Sequence, residues 1–115
     1  MGRKAKGIRA ERELVQMFWE SEWAATRVAG SGNTKLPSTD IIAGKEGRTL
    51  AIECRTVNND RIYIDNEKIQ GMMEFTKKSG YEVWFAIKFN RKGWFFLPTH
   101  KMKNYLNLEH LNQNA

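Results

Sequence analysis

Cysteine and proline are scarce in this sequence, and long apolar runs are missing from it. Cys54 is the only cysteine among 115 residues, which excludes an internal disulfide and is typical of a reducing compartment. The chain has no apolar run long enough to span a bilayer, no signal-peptide pattern and no internal repeat. These absences predict a single cytoplasmic domain over residues 1–115.

Positive charge is what the sequence has in excess, with a formal net charge of +6. A basic domain favours a polyanionic partner, although many basic proteins are merely soluble. Basic residues are densest at residues 1–9, which we predict to be a mobile arm that contacts phosphates. The alternative for this stretch is a solvated, flexible end of the chain. A second mobile segment is predicted at 30–39, which is rich in Gly, Ser, Asn and Thr.

The stretch Asp40–Arg55 contains two β-rich runs separated by a short turn with a glycine at each end. This pattern predicts a hairpin, and we expect Lys45 and Glu46 at its turn. In that register, Glu53 is the diagonal neighbour of Asp40 on the same face, roughly 7–8 Å away by backbone. The hairpin would therefore bring two carboxylates within reach of one point.

Two converging carboxylates repel each other unless one takes up a proton or a cation binds between them. Paired carboxylates suit a hard divalent ion, so Asp40 and Glu53 predict a site for Mg²⁺, with Mn²⁺ as a possible substitute. Such an ion can stabilise charge on a phosphodiester and activate a water. The alternative is an ordinary hairpin whose acids pair with surface Arg or Lys.

The remaining pattern predicts an α/β domain with a central mixed sheet flanked by helices. Glu11 lies in line with the apolar stripe of the first helix, where a carboxylate is costly unless it is paired or bound to metal. The expected elements are a helix at about 8–22, a strand at 23–29, the hairpin strands, a strand or extended segment at 62–64, a helix from about 65 to 79, strands at 81–89 and 94–97, a short terminal helix, and a frayed tail over 107–115.

An acid, a spacer and then Glu-Cys-Arg at the end of an apolar strand resemble the PD-(D/E)XK nuclease motif. More widely, the chain resembles an archaeal-type Holliday-junction resolvase, over nearly its whole length and in order. The matching segments are Arg3-Lys4, Ala10-Glu11-Arg12-Glu13-Leu14-Val15, Arg27-Val28-Ala29-Gly30-Ser31-Gly32, Asp40-Ile41-Ile42-Ala43, Ala51-Ile52-Glu53-Cys54-Arg55, Ile62-Tyr63-Ile64, Glu74-Phe75 and Ala86-Ile87-Lys88-Phe89.

This resemblance implies a restriction-endonuclease-like fold, a two-fold homodimer, and paired metal-dependent cuts in four-way junction DNA during recombination and repair. Phe75 and the C-terminal strands are the implied dimer contacts. The implied metal ligands are Glu11, Asp40 and Glu53, and the implied catalytic residues are Glu11, Asp40, Glu53, Arg55 and Ser31. The implied DNA-binding residues are Arg3, Lys4, Arg9, Arg12, Arg27 and Lys88. Glu11 has an alternative as one member of a buried pair with Arg27 or Lys88, and Ser31 as a turn residue.

Two positions depart from the family pattern. No proline directly precedes Asp40, because Pro37 lies further upstream. Arg55 stands where the motif has a lysine, and an arginine cannot lose its proton in a protein. Arg55 can therefore orient water or phosphate but cannot act as a base. Alternative functions are a non-catalytic module that binds branched DNA, and a related repair or restriction-like endonuclease that cuts duplex DNA.

Overall fold

The computed structural model describes residues 3–30 and 35–108, without the side chains of residues 3–5. Within these residues, two α-helices, seven strands and one 3-10 helix follow one another. They are α1 (Arg3–Glu20), β1 (Ala24–Arg27), β2 (Ile41–Lys45), β3 (Arg48–Val57), β4 (Arg61–Tyr63), α2 (Asn66–Ser79), β5 (Glu82–Phe89), β6 (Gly93–Pro98), a 3-10 helix (Thr99–Lys101) and β7 (Tyr105–Asn107). No helix in this part of the chain is long and apolar enough to cross a membrane.

Five strands form a central sheet in the order β1-β2-β3-β5-β6, and β4 pairs with β7 in a separate two-stranded sheet. Only β3 and β5 run parallel in the central sheet, and its other neighbours are antiparallel. The parallel pair requires a crossover, which the segment with β4 and α2 supplies. The predicted mixed α/β sheet is therefore confirmed.

Apolar side chains cover both faces of this sheet. On the α1 face, Leu14 packs with Ile41 and Ile52. On the α2 face, Met72 packs with Phe85 and other buried residues of β5. Because successive strand residues point to opposite faces, strands covered on both faces need consecutive apolar residues, and residues 50–52 of β3 and 83–87 of β5 provide them. The active-site candidates lie at the edge of this two-sided core.

Helix α2 has the boundaries that its sequence predicts. The side chain of Asp65 caps its N-terminus by accepting a hydrogen bond from the Lys68 N–H at 2.8 Å. Gly80 ends the helix in the left-handed conformation, with φ of 75°, and its N–H donates to the Thr76 carbonyl.

The two ends of the chain differ from the prediction. Residues Arg3–Arg9 belong to α1, so the helix begins five residues before its expected start at about residue 8 and includes most of the expected arm. Only Met1 and Gly2 of that arm lie outside the described residues. At the other end, a 3-10 helix and β7 replace the expected terminal helix, and Asn107 pairs with Arg61 instead of fraying. Residues 109–115 of the expected tail lie outside the described part.

The hairpin turn lies one residue later than expected. The turn residues are Glu46 and Gly47, since Lys45 pairs with Arg48. Both have positive φ, 47° and 85°, as the common two-residue hairpin turn requires. Glycine adopts this conformation readily, which explains why Gly47 is inside the turn and not beside it. The correction keeps Asp40 and Glu53 on one face but removes their predicted diagonal relation.

Candidate active site

Asp40 lies directly before β2, beside Glu53. Ile41 is opposite Ile52, so Asp40 and Glu53 are the next residues outward from that pair. The Asp40 N–H donates to the Ile52 carbonyl at 2.9 Å, and its Oδ2 accepts from the Cys54 N–H at 2.8 Å. The backbone of β3, the central strand, therefore fixes the Asp40 carboxylate at the start of β2.

Glu53 is a buried carboxylate with two cations beside it. Its side chain is only 3% exposed, and its Oε2 contacts Arg55 Nη1 and, at 3.3 Å, Lys68 Nζ. Burial raises the pKa of Glu53 to about 7, and the nearby Asp40 carboxylate adds to this increase while both cations oppose it. The second oxygen, Oε1, is buried without a hydrogen-bond partner among the described residues.

Glu11 reaches the site from α1, which packs on the face of the sheet opposite α2. Arg27 Nε donates to Glu11 Oε1 at 3.1 Å, which is the buried pair that the sequence left open. Burial raises the pKa of Glu11, and Asp40 contributes to the increase through its charge. Asp40 is thus electrostatically coupled to both Glu11 and Glu53.

The described residues include no group of three His, Cys, Asp or Glu side chains placed to hold one metal ion. The pair that fits a divalent cation is Asp40 and Glu53, because both are carboxylates and Glu53 Oε1 is a buried oxygen in need of a partner. Glu11 is close enough to influence Asp40 but is held by Arg27.

The predicted DNA-binding residues differ in their exposure and in their ion-pair partners. Arg9 and Arg12 are exposed on α1. Arg27 is engaged with Glu11, and Lys88 Nζ is 2.6 Å from Glu13 Oε2. Arg3 and Lys4 lie in the first turn of α1, but their side chains are not described. Ser31 lies outside the described residues.

Lys68 is a site residue that sequence reasoning missed. It lies on α2, which crosses the sheet face opposite α1 and brings the ammonium to Glu53. One sequence signal was available, because Lys68 lies three residues after the predicted helix cap at Asp65 and therefore in the first turn of that helix. The contact itself depends on how α2 docks on β3, which residue spacing does not encode.

Comparison with known proteins identifies the family. A model of the archaeal Holliday junction resolvase family (Hjc) matches residues 2–110. The crossover junction endodeoxyribonuclease Hjc of Archaeoglobus fulgidus is 36% identical over 100 residues, covering 87% of this chain and 74% of the relative. The enzyme of the same name from Methanocaldococcus jannaschii is also 36% identical, over 104 residues, covering 88% and 74%.

The fold agrees with this relationship. The crystal structure of Archaeoglobus fulgidus Hjc, a Holliday junction resolvase, superposes with a TM-score of 0.82 at 28% identity and covers 93% of each chain. Sequence and fold thus agree, and the chain belongs to the archaeal Holliday junction resolvase family.

Proposed function

We propose that this protein resolves four-way DNA junctions by paired, Mg²⁺-dependent hydrolysis of phosphodiesters, acting as a homodimer in recombination and repair. Family membership makes the chain a crossover junction endodeoxyribonuclease. The observation that carries the metal-dependent mechanism is the buried, unpartnered Glu53 Oε1 beside Asp40. A resolvase needs access to recombining DNA, so in a cell without a nucleus the proposal implies a cytoplasmic location.

Asp40 and Glu53 would hold the ion, which when bound supplies Lewis-acid stabilisation of the phosphate and a more acidic water. The chain's own residues prepare that site. The Cys54 N–H orients the Asp40 carboxylate, and Arg55 and Lys68 provide positive charge at Glu53. Arg27 holds Glu11 near Asp40, so a third carboxylate lies close to Asp40 and Glu53.

DNA contact is assigned to the basic residues of α1 and its surroundings. Arg9 and Arg12 are exposed on this helix, which also carries Arg3 and Lys4 at its start. Arg27, Lys88 and Ser31 complete the proposed contact set. Guanidinium and ammonium groups bind phosphates without reading sequence, so recognition should follow the shape of the junction.

A homodimer would match the two-fold symmetry of the junction. A groove formed by α2, the start of β5 and the 3-10 helix is lined partly by Met73, Tyr81 and Trp84. Met73 and Tyr81 are both exposed, and Phe96 is exposed on the edge strand β6. Phe75 is partly buried in the core and contacts the Tyr81 ring, so it supports this surface from beneath. We assign this apolar face to the dimer contact.

The deciding experiment uses a labelled four-way junction and a duplex of the same sequence, each with Mg²⁺ and with chelator. Symmetric paired cuts in the junction, only with Mg²⁺, support the proposal. Tight binding without cuts would support a non-catalytic module, a possibility favoured by Arg55 in place of the motif lysine. Equal cutting of the duplex would support a repair or restriction-like endonuclease.

Glu53→Gln tests the metal-holding carboxylate directly. We expect junction cleavage to fall by at least about 100-fold, since a charged group at the reacting centre is lost. Junction affinity should stay near that of the wild type. Glu20→Gln, at the exposed end of α1, is the control with the same charge change. Cleavage by Glu53→Gln at the wild-type rate would contradict the assignment.

A further inference from the structure

Lys68 occupies a defined place beside the buried acid. Its N–H donates to the Asp65 side chain at 2.8 Å, so the capped first turn of α2 fixes its backbone. Its Nζ lies 3.3 Å from Glu53 Oε2, and about a third of its side chain stays exposed, at 31%. An ammonium has three donors, so a contact with Glu53 leaves donors for another acceptor.

Arg55 contacts the same oxygen in a different way. Its Nη1 donates to Glu53 Oε2 and, at 3.2 Å, to the Cys54 carbonyl. Both acceptors belong to β3, the strand that carries Arg55. Nη1 is therefore engaged by the same strand and neutralises Glu53 locally, while 37% of the Arg55 side chain is exposed.

Lys68 and Arg55 also differ in whether they line the groove next to α2. Lys68 lines a groove of about 500 Å³ that runs between α2 and the loop before Asp40. Lys35, Leu36 and Pro37 of that loop form the opposite wall, and Arg55 is not among the lining residues. Lys68 thus borders both the buried carboxylate and an open groove whose lining carries Lys35 as a second cation and Asp65, Glu67 and Glu74 as acids.

We infer that Lys68 supplies, from helix α2, the lysine charge that contacts the scissile phosphate next to Glu53, while Arg55 acts as the counter-ion of Glu53. The inference rests on the proposed nuclease function. The role of Lys68 in this proposal is to donate hydrogen bonds and place positive charge. A compact ammonium and a planar guanidinium are not interchangeable in such a role.

The test is single-turnover cleavage of the four-way junction by Lys68→Gln with saturating Mg²⁺. We expect the rate to fall by at least about 100-fold. Lys78→Gln is the matched control, because it removes the same charge from the same helix at an exposed pair with Glu74. The control should cut at nearly the wild-type rate. If the wild type cuts and Lys68→Gln cuts equally well, the inference fails while the proposed function stands.

Binding of Mn²⁺ alone, measured by calorimetry, separates phosphate contact from a structural role. Lys68→Gln should bind Mn²⁺ at least as well as the wild type, since a cation next to Glu53 has been removed. Its melting temperature should stay close to the wild-type value. Loss of Mn²⁺ binding together with activity would mean that Lys68 merely positions Glu53, and would overturn the inference.

A rescue of cleavage by a second substitution provides a further test. Adding Arg55→Lys to Lys68→Gln returns a lysine to the strand position, and we expect cleavage to recover by at least about 10-fold. A double variant that stays inactive, although Arg55→Lys alone cuts, would overturn the inference. If Arg55→Lys alone is inactive, the cleavage and Mn²⁺ results of Lys68→Gln decide the question.

Discussion

Burial of the Glu53 carboxylate links the stability of the metal-free protein to pH. Its pKa of about 7 lies above the ordinary value of 4.5, so the unfolded chain loses this proton at lower pH than the folded protein. The contribution of Glu53 to stability therefore falls as pH rises from 4.5 to about 7 and is constant above that range. The full difference corresponds to roughly 3 kcal/mol.

We therefore expect Glu53→Gln to be more stable than the wild type in chelator at about pH 8, and the advantage to shrink towards about pH 5. Lost contacts with Arg55 and Lys68 will reduce the gain. Urea unfolding of both proteins across this pH range measures the difference between their free energies of unfolding. The titration of other groups cancels in this difference. A difference independent of pH would show that Glu53 ionises normally.

Substitutions of Arg55 test the role of the cation that lies beside Glu53 on β3. Arg55→Lys restores the family motif and keeps the charge beside Glu53, so we expect junction cleavage to be retained or increased. Arg55→Gln removes the charge and should slow cleavage by at least about 10-fold. Rates of both variants on the four-way junction check this. Complete loss of cleavage in Arg55→Lys would mean that position 55 does not correspond to the motif lysine.

Within helix α2, two glycines should respond oppositely to alanine. A Cβ at Gly71 would meet Pro37 at 3.6 Å, an ordinary contact, and alanine is the better helix former. Gly71→Ala should therefore stabilise the protein by about 0.5–1 kcal/mol. Gly80 has φ of 75°, so Gly80→Ala should destabilise it by about 1–2 kcal/mol. Thermal unfolding of both variants gives the comparison, and destabilisation by Gly71→Ala would show a tighter contact with Pro37.

The elements that sequence predicts well are those whose signals are local. Asp65 and Gly80 define both ends of α2, and the apolar runs of β3 and β5 predict a sheet covered on both faces. The hairpin turn was misplaced by one residue because Gly47 was expected beside the turn, whereas it lies inside it with a positive φ. The parity of the register survived this error, which is why Asp40 and Glu53 were still placed on one face.

Site features that depend on docking between elements were the hardest to predict from sequence. Lys68 meets Glu53 only because α2 packs on the sheet, and this contact was missed. The pairing of Glu11 with Arg27 depends on α1 packing beside β1, and sequence left it open as one of two alternatives. The helical state of residues 3–7 was missed for another reason. Gly2 and Gly7 favour a mobile arm by propensity, yet the helix extends through Gly7.

At the scale of the whole molecule, paired cutting requires two active sites held by one contact. Met73 is 43% exposed in the apolar groove of α2, so a two-fold dimer through this face would place the two copies of the residue at the contact. Met73→Glu should raise the dimer dissociation constant by at least about 100-fold, because like charges at an interface cost several kcal/mol. Sedimentation equilibrium measures this change.

Tyr63→Glu is the control, since Tyr63 is 71% exposed on β4, which pairs with β7 outside the central sheet. It should leave the dimer intact. The junction gives a second readout, because dissociated protomers should release single nicks where the wild type makes two symmetric cuts. A monomeric wild type, or a Met73→Glu protein that remains dimeric and cuts in pairs, would place the dimer contact on another surface. The symmetry argument would then hold only if that surface also brings two Asp40–Glu53 sites to one junction.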